Sequence, residues 1–179
     1  MMVTSTNMKS IKTTFKQGFI AITICCFVIP VSSYSQITLE TQNDINVHIL
    51  ESSITEAGMD LENTFETDSD ETILSVKILP ENLNNKLYRT WDINISKNDI
   101  DWHNDLEIHV KRTGNGESEF NTNTLGGDVY QKIEDYDQYF FEGTGWIENI
   151  PLQYKITGIS VTVPAKTYTT EITITLLDN

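Results

Sequence analysis

The feature that most constrains this chain is an alternation of apolar and polar residues with period two, recurring almost to the C-terminus. Leu74, Val76 and Ile78 alternate with Ser75 and Lys77, and Trp91, Ile93 and Ile95 with Asp92 and Asn94. Leu106, Ile108 and Val110 alternate with Glu107, His109 and Lys111. The same pattern runs through Ile45, Val47 and Ile49, through Ile150, Leu152, Tyr154 and Ile156, and through Ile159, Val161 and Val163. It closes with Tyr168, Thr170, Ile172, Ile174 and Leu176. Successive side chains of a strand point to opposite faces, so each run is dry on one side and wet on the other. That is the pattern of antiparallel sheets with one solvated face, and the Ile, Val, Thr and Tyr that dominate it suit a pleated surface.

Turn chemistry punctuates the runs. Thr113-Gly114-Asn115-Gly116 reads as a hairpin tip, and Gly126-Gly127-Asp128, Gly143-Thr144-Gly145, Gly158 and Pro164 mark further breaks. The nearest approach to a helical stripe is residues 128–139, room for a single turn. Seven to nine short strands are expected, which makes an all-β antiparallel sandwich the leading architecture and a jelly roll or closed barrel the alternative. The expected core contains Val76, Ile78, Trp91, Ile93, Leu106, Ile108, Leu152, Tyr154, Ile172 and Ile174.

The first 35 residues read differently. Lys9, Lys12 and Lys16 precede an apolar run over residues 18–31, and small residues Ser33 and Ser35 lie before a cut at Ser35–Gln36. This is the three-part layout of a secretory signal peptide, with an apolar run too short to span a bilayer comfortably; an uncleaved N-terminal anchor is the competing reading. The expectation is a leader over residues 1–35 and a single domain over residues 36–179. Cys25 and Cys26 leave with the leader, so the mature chain has no disulfide and no thiol chemistry. Residues 51–71 hold eight acids and no base, and read as a long acidic loop. No second long apolar run follows, so no membrane span is expected in the mature chain.

The formal net charge is −14, and every acid lies in the expected mature chain. Such a balance argues against nucleic acid, whose phosphates demand clustered Lys and Arg. No nucleophile elbow, zinc-protease helix or phosphate loop is present. His48, His103 and His109 read as surface histidines rather than a zinc site. The run from Asp99 to Asp105 and the pairs Asp68/Asp70 with Glu71 and Asp135/Asp137 have oxygen spacing that calcium loops use. A bound calcium would relieve like-charge repulsion, but solvated acidic loops are the commoner outcome, so no cofactor is expected. The carboxylates near the aromatic segment show no spacing that singles out a catalytic pair. Tyr130, Tyr136, Tyr139, Phe140, Phe141 and Trp146 make residues 130–146 the strongest regional bias. The leading reading is that they fill the sandwich core and its rim, but successive Tyr139, Phe140 and Phe141 cannot all face inward on a regular strand, so in the alternative reading Tyr139, Phe141 and Trp146 are the candidate ligand contacts, for a protein partner or a glycan ring.

The segment Val163-Pro164-Ala165-Lys166-Thr167-Tyr168, with the Thr/Ile strand that follows, resembles the closing turn and strand of bacterial secreted immunoglobulin-like sandwiches, among them fimbrial-subunit-like and spore-coat-like proteins. Lys166 stands where Gly is common in that turn. Residues 91–153 are similar to uncharacterised secreted proteins of this size. The resemblance implies an immunoglobulin-like sandwich at the cell surface, in the periplasm or outside the cell, and transfers no catalytic residue. The expected function is therefore a non-enzymatic structural or interaction protein of adhesin or fimbrial type, with a glycan-binding module as the alternative. Strand exchange is an expected mode of self-assembly, with residues 36–50 pairing to a neighbour's sheet edge.

Overall fold

The computed structural model describes residues 3–5, 36–42, 63–79, 88–118, 123–160, 162–164 and 166–179. Among them the chain is all-β, in two antiparallel sheets that do not close into a barrel. The strands are β1 (Val3–Ser5), β2 (Gln36–Gln42), β3 (Thr64–Glu66), β4 (Thr72–Leu79), β5 (Thr90–Asp101), β6 (Glu107–Arg112), β7 (Thr124–Leu125), β8 (Gln131–Lys132), β9 (Gln138–Thr144), β10 (Ile147–Thr157) and β11 (Thr169–Asp178). One sheet runs β1-β11-β5-β9-β7 and the other β2-β4-β10-β6-β8, with β3 also on β10. From β4 onward every connection crosses from one sheet to the other. Two facing sheets bury their alternating apolar sides against each other, and that layer is the core.

Trp91, Ile93, Ile95, Phe141 and Leu176 line the core from the first sheet; Leu74, Val76, Ile78, Ile108, Val110, Leu152 and Tyr154 line it from the second. The alternation of β4, β5, β6 and β10 is therefore the inside and outside of a sandwich. Eight of the ten expected core residues are buried, while Ile172 and Ile174 are only partly so, because β11 lies near the rim of its sheet. The Trp91 indole donates to the Gly145 carbonyl at 2.8 Å, so the largest core ring carries its polar atom into the β9–β10 corner.

Bulges supply what plain alternation cannot. Opposite β5 the register slips between Ile93 and Asn94, whose partners are Phe141 and Tyr139, so Phe140 is the extra residue. An inserted residue re-aims its neighbours, and Phe140 and Phe141 both face inward, with ring centroids 5.1 Å apart. On β10 the partners jump from Ile147 to Ile150 opposite Val76 and Leu74. Asn149, at φ 55°, takes up the extra length, and its N–H donates to the Ser75 hydroxyl at 3.2 Å. Asn is among the few residues other than Gly that visit this region readily.

Other local expectations are corrected by the structure. Residues 113–116 are not a hairpin tip but the start of a crossing from β6 to β7. Arg112 anchors the crossing: its guanidinium donates to the Gly126 carbonyl at 2.8 and 3.1 Å, to the Gly114 carbonyl at 2.7 Å and to Asn115 Oδ1 at 2.6 Å. No helical turn forms over residues 128–139; β8 lies there instead. Ile159 and Val163 are not in a strand, since the chain turns at Gly158 (φ 83°), where a Cβ would collide with the Asp105 carbonyl. Ile45, Val47, Ile49 and most of the acidic stretch 51–71 lie outside the described residues. Residues 36–42 form β2, which pairs with β4 of the same chain from Gln36↔Leu79 to Gln42↔Ile73. Val3–Ser5, within the expected leader, lie along the outer edge of β11.

Candidate functional site

The three aromatic residues singled out by sequence do not converge. Tyr139 points away from the core, 48% exposed, with its hydroxyl 3.4 Å from a Glu142 carboxylate oxygen. Partial burial, with the negative charge of Glu142 and Asp92, holds the phenol above its usual pKa, so it stands on an acidic face. Phe141 is removed as a ligand contact, because the bulge at Phe140 turns its ring into the core, edge-on to Trp91 at 6.0 Å. Trp146 is partly buried in the corner joining β9 to β10, and its carbonyl accepts a bond from the Ser118 hydroxyl at 3.0 Å.

The histidines and carboxylates are also dispersed. His103 lies in the β5–β6 link, its ring edge-on to Tyr168 at 6.0 Å, while His109 is on β6 and His48 lies outside the described residues. Asp99 and Asp101 are engaged by Lys97 and Lys166. Among the described residues, no group of three or more His, Cys, Asp or Glu stands close enough to hold a metal ion.

Polar groups do gather on the outer face of the second sheet. Register places Glu66, Lys155, His109 and Lys132 side by side across β3, β10, β6 and β8. Neighbouring strands are about 4.8 Å apart, so this row is a continuous strip. Tyr130, just before β8, lies against it: the Lys155 ammonium is 4.2 Å and the Lys111 ammonium 4.4 Å from the ring centroid. Such contacts contribute roughly 0.5–1 kcal/mol each where water still reaches them. Burial, aided by Glu66, pushes the Tyr130 phenol up to about 12, so it remains a neutral O–H donor.

Two polar atoms of this strip, the Tyr130 hydroxyl and His109 Nδ1, are shielded from water without a close hydrogen bond among the described residues, while the Glu66 carboxylate stands by the phenol and the Lys155 backbone by the imidazole. Lys132 is held by Glu107 at 2.9 Å and by Glu134 at 3.8 Å, whereas Lys111 and Lys155 form no ion pair among the described residues. In a chain of net charge −14, ammonium groups without a carboxylate partner are a local exception. Alternation alone points His109, Lys111 and Lys155 outward. Their assembly around Tyr130 depends on β6 lying between β10 and β8, which no local pattern encodes.

No family model, curated protein or solved structure matches the chain.

Proposed function

We propose that this is an exported, non-enzymatic interaction protein of the cell envelope or exterior, and that its partner docks on the outer face of the second sheet around Tyr130. The observation that carries the reading is the Tyr130 ring set between Lys111 and Lys155, two ammonium groups that form no ion pair among the described residues. An open sheet face offers donors and charge to a partner laid flat against it, and charges of this kind set specificity and encounter rate. The leader-like residues 1–35 and the resemblance to secreted sandwiches support the compartment.

A second reading, a glycan-binding module, is favoured by Tyr130 itself, which belongs to the aromatic segment 130–146 and sits among Lys, His, Glu and Gln side chains suited to sugar hydroxyls. One experiment serves both. The wild type, Lys155→Glu and an Asn98→Asp control are applied to a glycan array and to cell-envelope fractions of the producing organism. Retention by either material that Lys155→Glu abolishes and the control keeps is the expected result, and the material retained separates the two readings. Equal retention of all three proteins, or retention of none, sinks the assignment of this face.

A further inference from the structure

The C-terminal strand carries a second surface. β11 pairs with β5 along one side, from Thr169↔Asp101 to Asp178↔Trp91. On its other side it pairs, among the described strands, with β1 alone, through Val3↔Leu177, Thr4↔Leu176 and Ser5↔Thr175. Residues 169–174 thus present an edge with no strand beside it among the described residues. Two other edges are blunted in recognised ways: β7 has two residues and runs into Gly126 and Gly127 at positive φ, and β8 has two residues and includes Lys132, while β2 is the long edge of the second sheet and carries the charge of Glu40. The strand TTEITITLLD has no Lys, Arg or Pro. Long edges without such protection are templates for pairing with another chain.

The half-burial of Ile172 and Ile174 points the same way. Both pack on the core yet remain partly in water, where no further strand lies beside them among the described residues. We infer that, once residues 1–35 are removed, β11 pairs antiparallel with β11 of a second copy, in the register centred on Thr173. That register sets Ile172 opposite Ile174 twice on the core side, the β-branched pairing that stabilises a sheet. On the outer side it sets Glu171 opposite Thr175, so no acid faces an acid. A two-fold axis through Thr173 makes the contact isologous and closed. β1 shows that this edge accepts an antiparallel strand, and while residues 3–5 lie there they cover the Leu177 end of the dimer register. Removal of the leader would uncover it.

The test uses the product that export delivers, its N-terminus fixed by intact mass and its oligomeric state by light scattering across a wide concentration range. A product beginning near Gln36 is expected to be a dimer that dissociates on dilution, and Ile172→Lys to be a monomer with an unchanged β-sheet circular dichroism spectrum. Thr173→Cys is expected to cross-link to itself on oxidation, because directly opposed antiparallel residues lie within disulfide reach; Asn98→Cys is not. Should Ile172→Lys fail to fold, the Thr173→Cys result decides. Should the product retain residues 1–35, Thr4→Pro, which unseats β1, is expected to convert monomer to dimer. A monomer at all concentrations after residues 3–5 are gone or unseated overturns the inference, as does a dimer in which Thr173→Cys does not cross-link.

Discussion

His109 shows how a single side chain can couple this fold to pH. Burial first, then the Lys155 ammonium, hold its pKa below the usual value, and Glu107 only partly opposes them. In the unfolded chain the imidazole titrates near 6.5. The unfolded state therefore takes up its proton first as pH falls, so the stability tied to neutral His109 is fully present above about pH 6.5 and is lost as pH falls through the depressed folded value. The melting temperature of the wild type is expected to fall more between about pH 7.5 and pH 5 than that of His109→Gln, which has no proton to gain. Parallel curves would remove His109 from the account. Burial likewise ranks core truncations. Trp91 is completely enclosed and is expected to cost about 3–5 kcal/mol as Trp91→Ala. Ile172→Ala is expected to cost less than about 2 kcal/mol, because part of its side chain already meets water. Urea midpoints of the two variants give the order.

At the scale of the element, bulges decide which apolar residues reach the core. Without the extra length at Asn149, Ile147 and Ile150 of β10 would fall on opposite faces; with it, both are buried. The left-handed conformation at Asn149 leads to a direct comparison. Asn149→Gly is expected to be close to neutral, whereas Asn149→Val is expected to cost about 1–2 kcal/mol through the Cβ–carbonyl crowding of that region. Chemical denaturation of the pair measures it, and equal losses would place the cost in the side-chain bond to Glu117 instead of the backbone. Arg112 acts on the same scale, since its guanidinium satisfies carbonyls where the chain leaves one sheet for the other.

For the whole molecule, the sandwich carries its two outer faces differently. Tyr139, Glu142 and Asp92 mark one as acidic, while Lys111, Lys132, Lys155 and His109 gather on the other. An acidic body keeps bulk anionic polymers away through its summed field, and a local cluster of cations acts within about one Debye length, ~8 Å at physiological salt. The expected exported form begins near Gln36 and lacks both cysteines, so its thermal midpoint should be the same with and without reductant. Intact mass and a melting curve check this together, and a product that retains Cys25 would sink the expectation of cleavage.

Much of this architecture was legible without coordinates, for a local reason. Period two is a property of a strand's own geometry, so the alternating residues of β4, β5, β6 and β10 announce their buried and exposed sides one residue at a time. The same logic failed wherever the period was broken or a partner strand mattered. Phe141 looked available because two adjacent aromatics cannot share a face on a regular strand, and a bulge against β5 lets them. Ile172 and Ile174 looked buried because alternation cannot say which strand is near the rim. The strip around Tyr130 was invisible for the same reason: Lys155, His109 and Lys132 are distant along the chain, and hydrogen-bond register alone sets them side by side. Alternation fixes the inward side of each regular strand from local geometry, whereas pairing between segments distant along the chain sets the bulges, the rim and the neighbours of each strand, and with them which outward residues form a surface.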